Sequence, residues 1–233
     1  MAEWIAAEKR GRNVRMWAMP EGAPVEDAMG TVVMVGGDGA PRRAVPCKAI
    51  PEGLVPGAGG GFLFPALEWE GQPSDGAEAR IAGFAARDDR WDGVLCIVGE
   101  STVWAHISAG EVISFQRFVT ARLAAAIDVS EMWDDIKLRE AMADAMARPE
   151  RLAAYVARAG DAGTLWGALL GAELAAAKPY WLGQQVVVIG EGRAAEALAG
   201  GLAGQGVPVM RADDTDMVLE GMKAAVAAHG GVA

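Results

Sequence analysis

Twice along the chain, segments of alternating apolar and β-branched residues give way to segments with helical spacing, and this repetition constrains the fold more than any single motif. Trp4 to Ala7 and Val14 to Met19 read as two strands joined by the charged turn Glu8 to Asn13, and Thr31 to Val35 reads as a third, followed by the turn Gly36 to Gly39. The stretch Pro41 to Pro73 is rich in Pro and Gly without a sustained period and reads as an irregular surface connection. A short helix is expected over 76–86. The second round opens with the strand Gly93 to Val98 and continues through Thr102 to Ser108 and Glu111 to Phe118, around the turn Ser108-Ala109-Gly110. Helical spacing then covers 120–127, 131–147 and 165–177, with Asp128 and Glu131 placed as a D-x-x-E start for the second of these. The end reads strand, helix, strand, helix over 185–189, 193–203, 207–211 and 217–228. The pattern predicts an α/β protein of two related lobes, 1–92 and 93–233.

Apolar residues make up 52% of the chain and charged residues 22%, which suits a packed core. The 31 acidic residues outnumber the 21 basic ones, the net charge is −10, and no basic run stands out, so nucleic acid is not an expected partner. The opening MAEWIAAEKRGR places charges where a signal peptide needs an apolar stretch, and no apolar segment is long enough to span a bilayer. A cytoplasmic protein without a membrane partner is expected. Leu165 to Ala177 carries Glu173 and reads as a buried helix. Cys47 and Cys96 lie in no C-x-x-C pair, and His106 and His229 form no i, i+4 pair, so no metal site is expected.

Three motifs could carry chemistry, each with a plainer alternative. Gly190-Glu191-Gly192-Arg193-Ala194-Ala195 follows a strand, opens a helix, and precedes Asp213 at the end of the next strand, as in a dinucleotide fingerprint. Too little chain remains after Asp213 for the wider sheet that an NAD-binding oxidoreductase needs. A simple strand-to-helix turn, or a turn lying against an adenine nucleotide, are the other readings. Gly99-Glu100-Ser101-Thr102 is a polar hairpin tip that could present N–H groups and hydroxyls to an anion, against which Glu100 would act; a tight turn is the alternative. In the opening turn, Lys9, Arg10 and Arg12 could meet an anion and Glu8 a metal, or the tip is merely solvated.

Several segments in order resemble the 2-dehydro-3-deoxygalactonokinases. WIAAEKRGRNVRMWAM resembles that family's first hairpin, W-I-A-x-D-W-G-T-[TS]-x-x-R; LCIVGESTVWAHISAGEVISFQRFVTARLAAAI resembles its second, L-P-G-T-H-S-K-W closing with F-x-T-F-M-T-G-E; and TLWGALLGAELAAAKPYWLGQQVVVIGEG is similar to its S-G-L-L-I-G-A-E region. The resemblance implies an actin-like ATPase fold, with two ribonuclease-H-like lobes around a cleft and the N-terminal lobe shortened by a helical segment skipped between Gly30 and Thr31. It also implies phosphorylation of a 2-keto-3-deoxy sugar acid by Mg-ATP. Carried over, it places Glu8 near Mg²⁺, Arg15 and the turn holding Gly99, Ser101 and Thr102 near phosphate, and Gly171, Glu173 and Gly190 near adenosine.

The departures fall on the phosphate side. D-W-G-T-T becomes Glu8, Lys9, Arg10, Gly11 and Arg12; G-T-H-S-K-W becomes Gly99, Glu100, Ser101, Thr102, Val103 and Trp104; T-G-E becomes Thr120, Ala121 and Arg122. The family's G-D-V-M-R-G-E-E corresponds to Gly71 to Glu78, which loses the Asp and reverses the charge of the Arg at Asp75. Phosphoryl transfer depends on fixed donors and metal around the γ-phosphate, and losing one such donor costs about 10²–10³ in rate. The expectation is a sugar-acid kinase relative with weak or lost activity. Such a relative would still bind nucleotide or sugar acid; the alternative is a noncatalytic pseudokinase, a binding or regulatory protein that retains the lobes and associates with itself, as a homodimer, or with an intact kinase.

Overall fold

The computed structural model describes residues 4–37 and 39–232. β1 (Trp4–Arg10) and β2 (Asn13–Met19) form the opening hairpin, antiparallel, with Glu8 opposite Arg15. The strand therefore runs through the segment expected as a turn: Gly11, in the left-handed region at φ 55°, and Arg12 alone reverse the chain. β3 (Ala23–Pro24) pairs with β2, and β4 (Val32–Val35) lies parallel to β1.

The stretch expected as irregular holds β5 (Arg42–Ala44), β6 (Cys47–Lys48), β7 (Val55–Pro56), β8 (Phe62–Leu63), β9 (Ala66–Trp69) and β10 (Gln72–Pro73). Strands of two to four residues are too short to show a period of two, which hid them in the sequence. The first sheet has the order β3-β2-β1-β4-β8-β7, and β10-β9-β5 form a small second one.

After α1 (Ala77–Arg87) come β11 (Gly93–Val98), β12 (Thr102–Ser108) and β13 (Glu111–Phe118), then α2 (Thr120–Ala126), α3 (Asp135–Ala147), α4 (Leu152–Arg158), α5 (Ala162–Ala176) and α6 (Lys178–Trp181). The chain closes with β14 (Val186–Ile189), α7 (Gly192–Gly204), β15 (Val209–Ala212) and α8 (Asp214–His229). β14 runs parallel to β11, and β15 parallel to β14, so these strands lie in the order β15-β14-β11-β12-β13. The succession β3-β2-β1-β4 in the first sheet thus recurs as β13-β12-β11-β14.

Two compact units result. One holds the residues up to Asp92, the hairpin tip Ala105–Phe115, and Asp213 onward; the other holds Gly93–Trp104 and Gln116–Ala212. In the first, Trp4, Ala6, Trp17, Val33 and Phe64 pack with Val218 and Met222 of α8. Here α1 and α8 approach so closely that a Cβ on Gly83 would lie 1.9 Å from the Met217 carbonyl oxygen, and one on Gly221 1.8 Å from that of Ala79. In the second, Trp104, Trp166, Leu170, Leu174, Val188 and Leu198 form the core.

Two helix starts differ from expectation. α3 begins at Asp135, capped by the Asp134 carboxylate, which accepts from the N–H groups of Ile136 (2.8 Å) and Lys137 (3.1 Å). Asp128, expected to cap it, instead sits in the left-handed region after α2 (φ 57°). α5 starts at Ala162, capped by Asp161. No helix among the described residues is long and apolar enough to cross a membrane.

Candidate functional site

The β1–β2 register places Glu8 and Arg15 side by side, and the chain then adds partners from far along the sequence. Glu8 and Asp214, each 1% exposed, share three arginines. Arg80 of α1, 4% exposed, sends Nε to Asp214 Oδ1 at 2.6 Å and its NH2 to Asp214 Oδ2 at 3.0 Å and to Glu8 Oε1 at 2.6 Å. Arg15 holds Glu8 Oε2 at 2.7 Å and reaches Asp214 Oδ2 at 3.2 Å. Arg10 pairs Glu8 Oε1 at 3.0 Å and also binds Asp214. Burial works against the Arg10 charge, yet Glu8 and Asp214 outweigh it and hold its pKa above the usual guanidinium value. Asp214 lies in the first turn of α8, where a carboxylate is favoured by the helix dipole.

This cluster decides whether Mg-ATP fits. Mg²⁺ takes carboxylate oxygens at about 2.0–2.1 Å in near-ideal octahedral geometry. Each oxygen of Glu8 and Asp214 already accepts from a guanidinium: Oε1 from Arg10 and Arg80, Oε2 from Arg15, Oδ1 from Arg80, Oδ2 from all three arginines. Three cations against two anions leave the cluster with one net positive charge. A divalent cation would have to displace buried ion pairs and enter a positive field, so these residues do not fit the metal. Among the described residues no group of three or more acidic, His or Cys side chains is placed to hold one.

In the second unit, the start of β12, the start of α2 and α5 meet at a buried carboxylate. Glu173, 3% exposed, accepts from Trp104 Nε1 at 3.0 Å and Thr102 Oγ1 at 3.4 Å, and from Thr120 Oγ1. Burial pushes the Glu173 carboxyl up, and the three hydrogen bonds only partly offset it. Ser101 and Thr102 are buried, whereas Gly99 is exposed and its N–H donates to the Ser101 carbonyl at 3.2 Å. Glu100 lies 3.9 Å from Arg122 at the surface. Gly171 serves the approach of α3 to α5: a Cβ there would lie 2.3 Å from the Met142 carbonyl oxygen.

The turn after β14 is shaped by packing too. At Gly190 (φ 153°) a Cβ would lie 2.7 Å from the Val98 carbonyl oxygen, and Arg211 donates to the Gly190 carbonyl at 2.9 Å. Asp213, which made the Gly190 turn look like a dinucleotide fingerprint, caps α8 by accepting from the Asp216 N–H at 2.8 Å. Beyond this turn, however, a cavity of about 490 Å³ opens between α3 and α7. Arg193, in the first turn of α7, lies 4.5 Å over the Trp133 ring and binds Asp135 at 2.5 Å. Leu138, Met142 and Met146 give it an apolar wall, and Gly200 and Gly204 line the opposite side with nothing within 4 Å of where their Cβ atoms would stand. None of Glu8, Arg15, Gly99, Ser101, Thr102, Gly171, Glu173 and Gly190, which the resemblance places near ligands, lines this cavity, whereas Arg193 of the Gly190–Ala195 motif does.

Sequence reasoning singled out Glu8, Arg15, Thr102 and Glu173 for metal, phosphate or adenosine, and foresaw neither the Glu8–Arg15 ion pair nor the Thr102–Glu173 hydrogen bond. It missed Arg80 and Asp214, whose separation from Glu8 leaves no local pattern, and Trp133 with Arg193, whose neighbourhood depends on where α3 starts.

The family described as 2-keto-3-deoxy-galactonokinase matches over residues 40–145 and 140–225, more than half of the chain. No curated protein matches. Among solved structures, a protein from Sinorhizobium meliloti, provisionally described as a 2-dehydro-3-deoxygalactonokinase, superposes with a TM-score of 0.79 at 17% identity, covering 96% of both chains. A protein from Campylobacter jejuni, provisionally described as a conserved Baf family transcriptional activator, gives a TM-score of 0.47 at 10% identity, covering 96% of this chain and 97% of the other.

Proposed function

The chain belongs to the 2-keto-3-deoxy-galactonokinase family, and from that premise we propose that it is a relative which has lost phosphoryl transfer and retains ligand binding. The observation that carries this reading is the Glu8–Asp214 cluster. In the family pattern an Asp stands where Glu8 does, and here the carboxylate is spent on Arg10, Arg15 and Arg80. Catalysis of phosphoryl transfer is positioning and charge stabilisation, so neutralised carboxylates and a hairpin tip lacking the family's Lys leave little to perform it.

The finer fold assignment belongs to the same reading. The recurring strand order, with a parallel strand added beside the first strand of each meander, supports two ribonuclease-H-like lobes of the actin-like ATPase type, divided in sequence at 92/93. The nucleotide side is then the cavity between α3 and α7, large enough for a nucleobase with its ribose and fitted with a stacked Arg–Trp pair. Sugar acid remains the second small-molecule ligand implied by the family, and association with a second copy or an intact kinase is the role such a protein would serve.

The test is a titration of ADP followed by tryptophan fluorescence, with and without Mg²⁺, in the protein and in Trp133→Phe. Saturable quenching that is insensitive to Mg²⁺ and lost in the variant is the expected result. Binding that requires Mg²⁺ and is lost in Glu8→Gln would implicate the carboxylates in holding metal and would overturn the reading.

A further inference from the structure

The α3–α7 cavity is lined by charges of both signs in equal number: Asp135 and Arg139 from α3, Arg193 and Glu196 from α7. The two helices run side by side in the same direction. Arg193 binds Asp135 at 2.5 Å, and two turns further along a Cβ on Gly201 would lie 2.8 Å from Met142 Sδ. Arg139 and Glu196 stand one turn after the first pair, on the same faces of their helices. Both are exposed, and among the described residues neither is paired with an opposite charge. Beyond them the cavity is apolar, with Met142 and Met146 on one side and the open backbone of Gly200 and Gly204 on the other.

A lining of zero net charge gives a polyphosphate no field to follow, so recognition here falls to the base. The flat ring of a nucleobase suits a slot with methionines on one side and glycines, which let a ligand approach the backbone, on the other. Its polar edge then meets one acceptor group and one donor group, the Glu196 carboxylate and the Arg139 guanidinium. Guanine answers both. Its N1–H and N2–H lie side by side and can share a carboxylate, while O6 and N7 accept two parallel N–H bonds from an arginine. Adenine sets N1, an acceptor, next to N6, its only donor on that edge. The carboxylate then keeps one hydrogen bond and faces a lone pair with its other oxygen.

We infer that Arg139 and Glu196 make the α3–α7 cavity selective for guanine. The inference rests on the reading of this cavity as the nucleotide side, to which it adds the base, and it departs from the adenine nucleotide that the family resemblance implies.

The test is isothermal titration calorimetry of the full chain with GDP and with ADP, without Mg²⁺, in the parent, in Glu196→Gln and in Arg139→Met. Both positions are exposed, so neither change disturbs the core. GDP is expected to bind at least roughly tenfold more tightly than ADP, the effect of one charge-assisted hydrogen bond gained and one repulsion avoided. In Glu196→Gln an amide replaces the double acceptor, and the GDP-to-ADP preference should fall to within about threefold. Arg139→Met removes the donors to O6 and N7 and should lower the preference as well. ADP binding that persists in the variants shows that the cavity is intact; if Glu196→Gln loses both nucleotides, the preference in Arg139→Met decides. ADP bound as tightly as GDP by the parent, or a GDP preference that survives both substitutions, would overturn the inference and leave the cavity a nucleotide site. Binding of neither nucleotide to the parent would overturn the inference together with the reading beneath it.

Discussion

Replacing Arg80 with Met separates the ion-pair cluster's structural role from its chemistry. Arg80 makes four contacts, three to the carboxylates of Glu8 and Asp214 and one from NH1 to the Gly76 carbonyl at 3.0 Å, and it is the most enclosed of the three arginines. Met matches the aliphatic stem and removes the charge. Two carboxylates, each 1% exposed, are then left with Arg10 and Arg15, whose side chains are about a third exposed. Breaking a buried ion pair costs about 3–5 kcal/mol. Because two cations still face two anions, the lower end of that range, about 3 kcal/mol, is expected. Urea denaturation followed by tryptophan fluorescence reads this directly, since Trp4 and Trp17 lie in the core of the same unit. Arg10→Ala, which leaves Arg80 and Arg15 in place, should cost far less. If Arg80→Met and Arg10→Ala cost the same, or Arg80→Met costs less than about 1 kcal/mol, the cluster is not the buried network described here.

Other positions give independent checks. Glu173 has a raised folded-state pKa, so the folded state binds more protons than the unfolded one between the ordinary carboxyl pKa and the raised value, and stability falls as pH rises through that window. Glu173→Gln cannot ionise; the stability difference between it and the parent, measured by urea denaturation from pH 4 to 8, should move in favour of the variant as pH rises, by at most about 1.4 kcal/mol per pH unit. A difference that stays flat with pH would contradict the raised pKa. Gly221→Ala places a methyl 1.8 Å from the Ala79 carbonyl oxygen, where ordinary contact needs about 3.5 Å, so α1 and α8 must part. A loss of about 3 kcal/mol in urea denaturation is expected, and a cost below about 1 kcal/mol would refute the close approach.

Much of the architecture is legible in the sequence because it is written locally. The strands at Trp4, Val32, Gly93, Thr102, Glu111 and Val186 carry alternating or continuous β-branched apolar residues, and the later helices carry their spacing and caps. Where signals compete, the local reading goes astray. Asp128 and Glu131 imitate a capping box, but Asp134 supplies the carboxylate that meets two free N–H groups. The short strands from Arg42 to Pro73 owe their existence to neighbours in the sheets more than to their own residues. The site is legible only as parts. Glu8 stands out beside three cations, and a charged hairpin tip ordinarily faces water; in the structure the strand continues through it, and Glu8 is buried where Arg10, Arg15 and Arg80, the last of them shared with Asp214, neutralise it. Gly171 and Gly190, placed near adenosine by the resemblance, lie where two backbones pass closely, which the sequence alone does not show.

The most direct test of the central claim is a coupled ADP-release assay at high protein concentration, with Mg-ATP and 2-dehydro-3-deoxygalactonate, run beside Glu8→Gln and an intact kinase of the family. With both carboxylates engaged by arginines, the protein should release no more ADP than its Glu8→Gln variant, while the intact kinase turns over. Sugar-acid-dependent ADP release that Glu8→Gln abolishes would contradict the account, because it would show Glu8 working in phosphoryl transfer despite its three ion pairs.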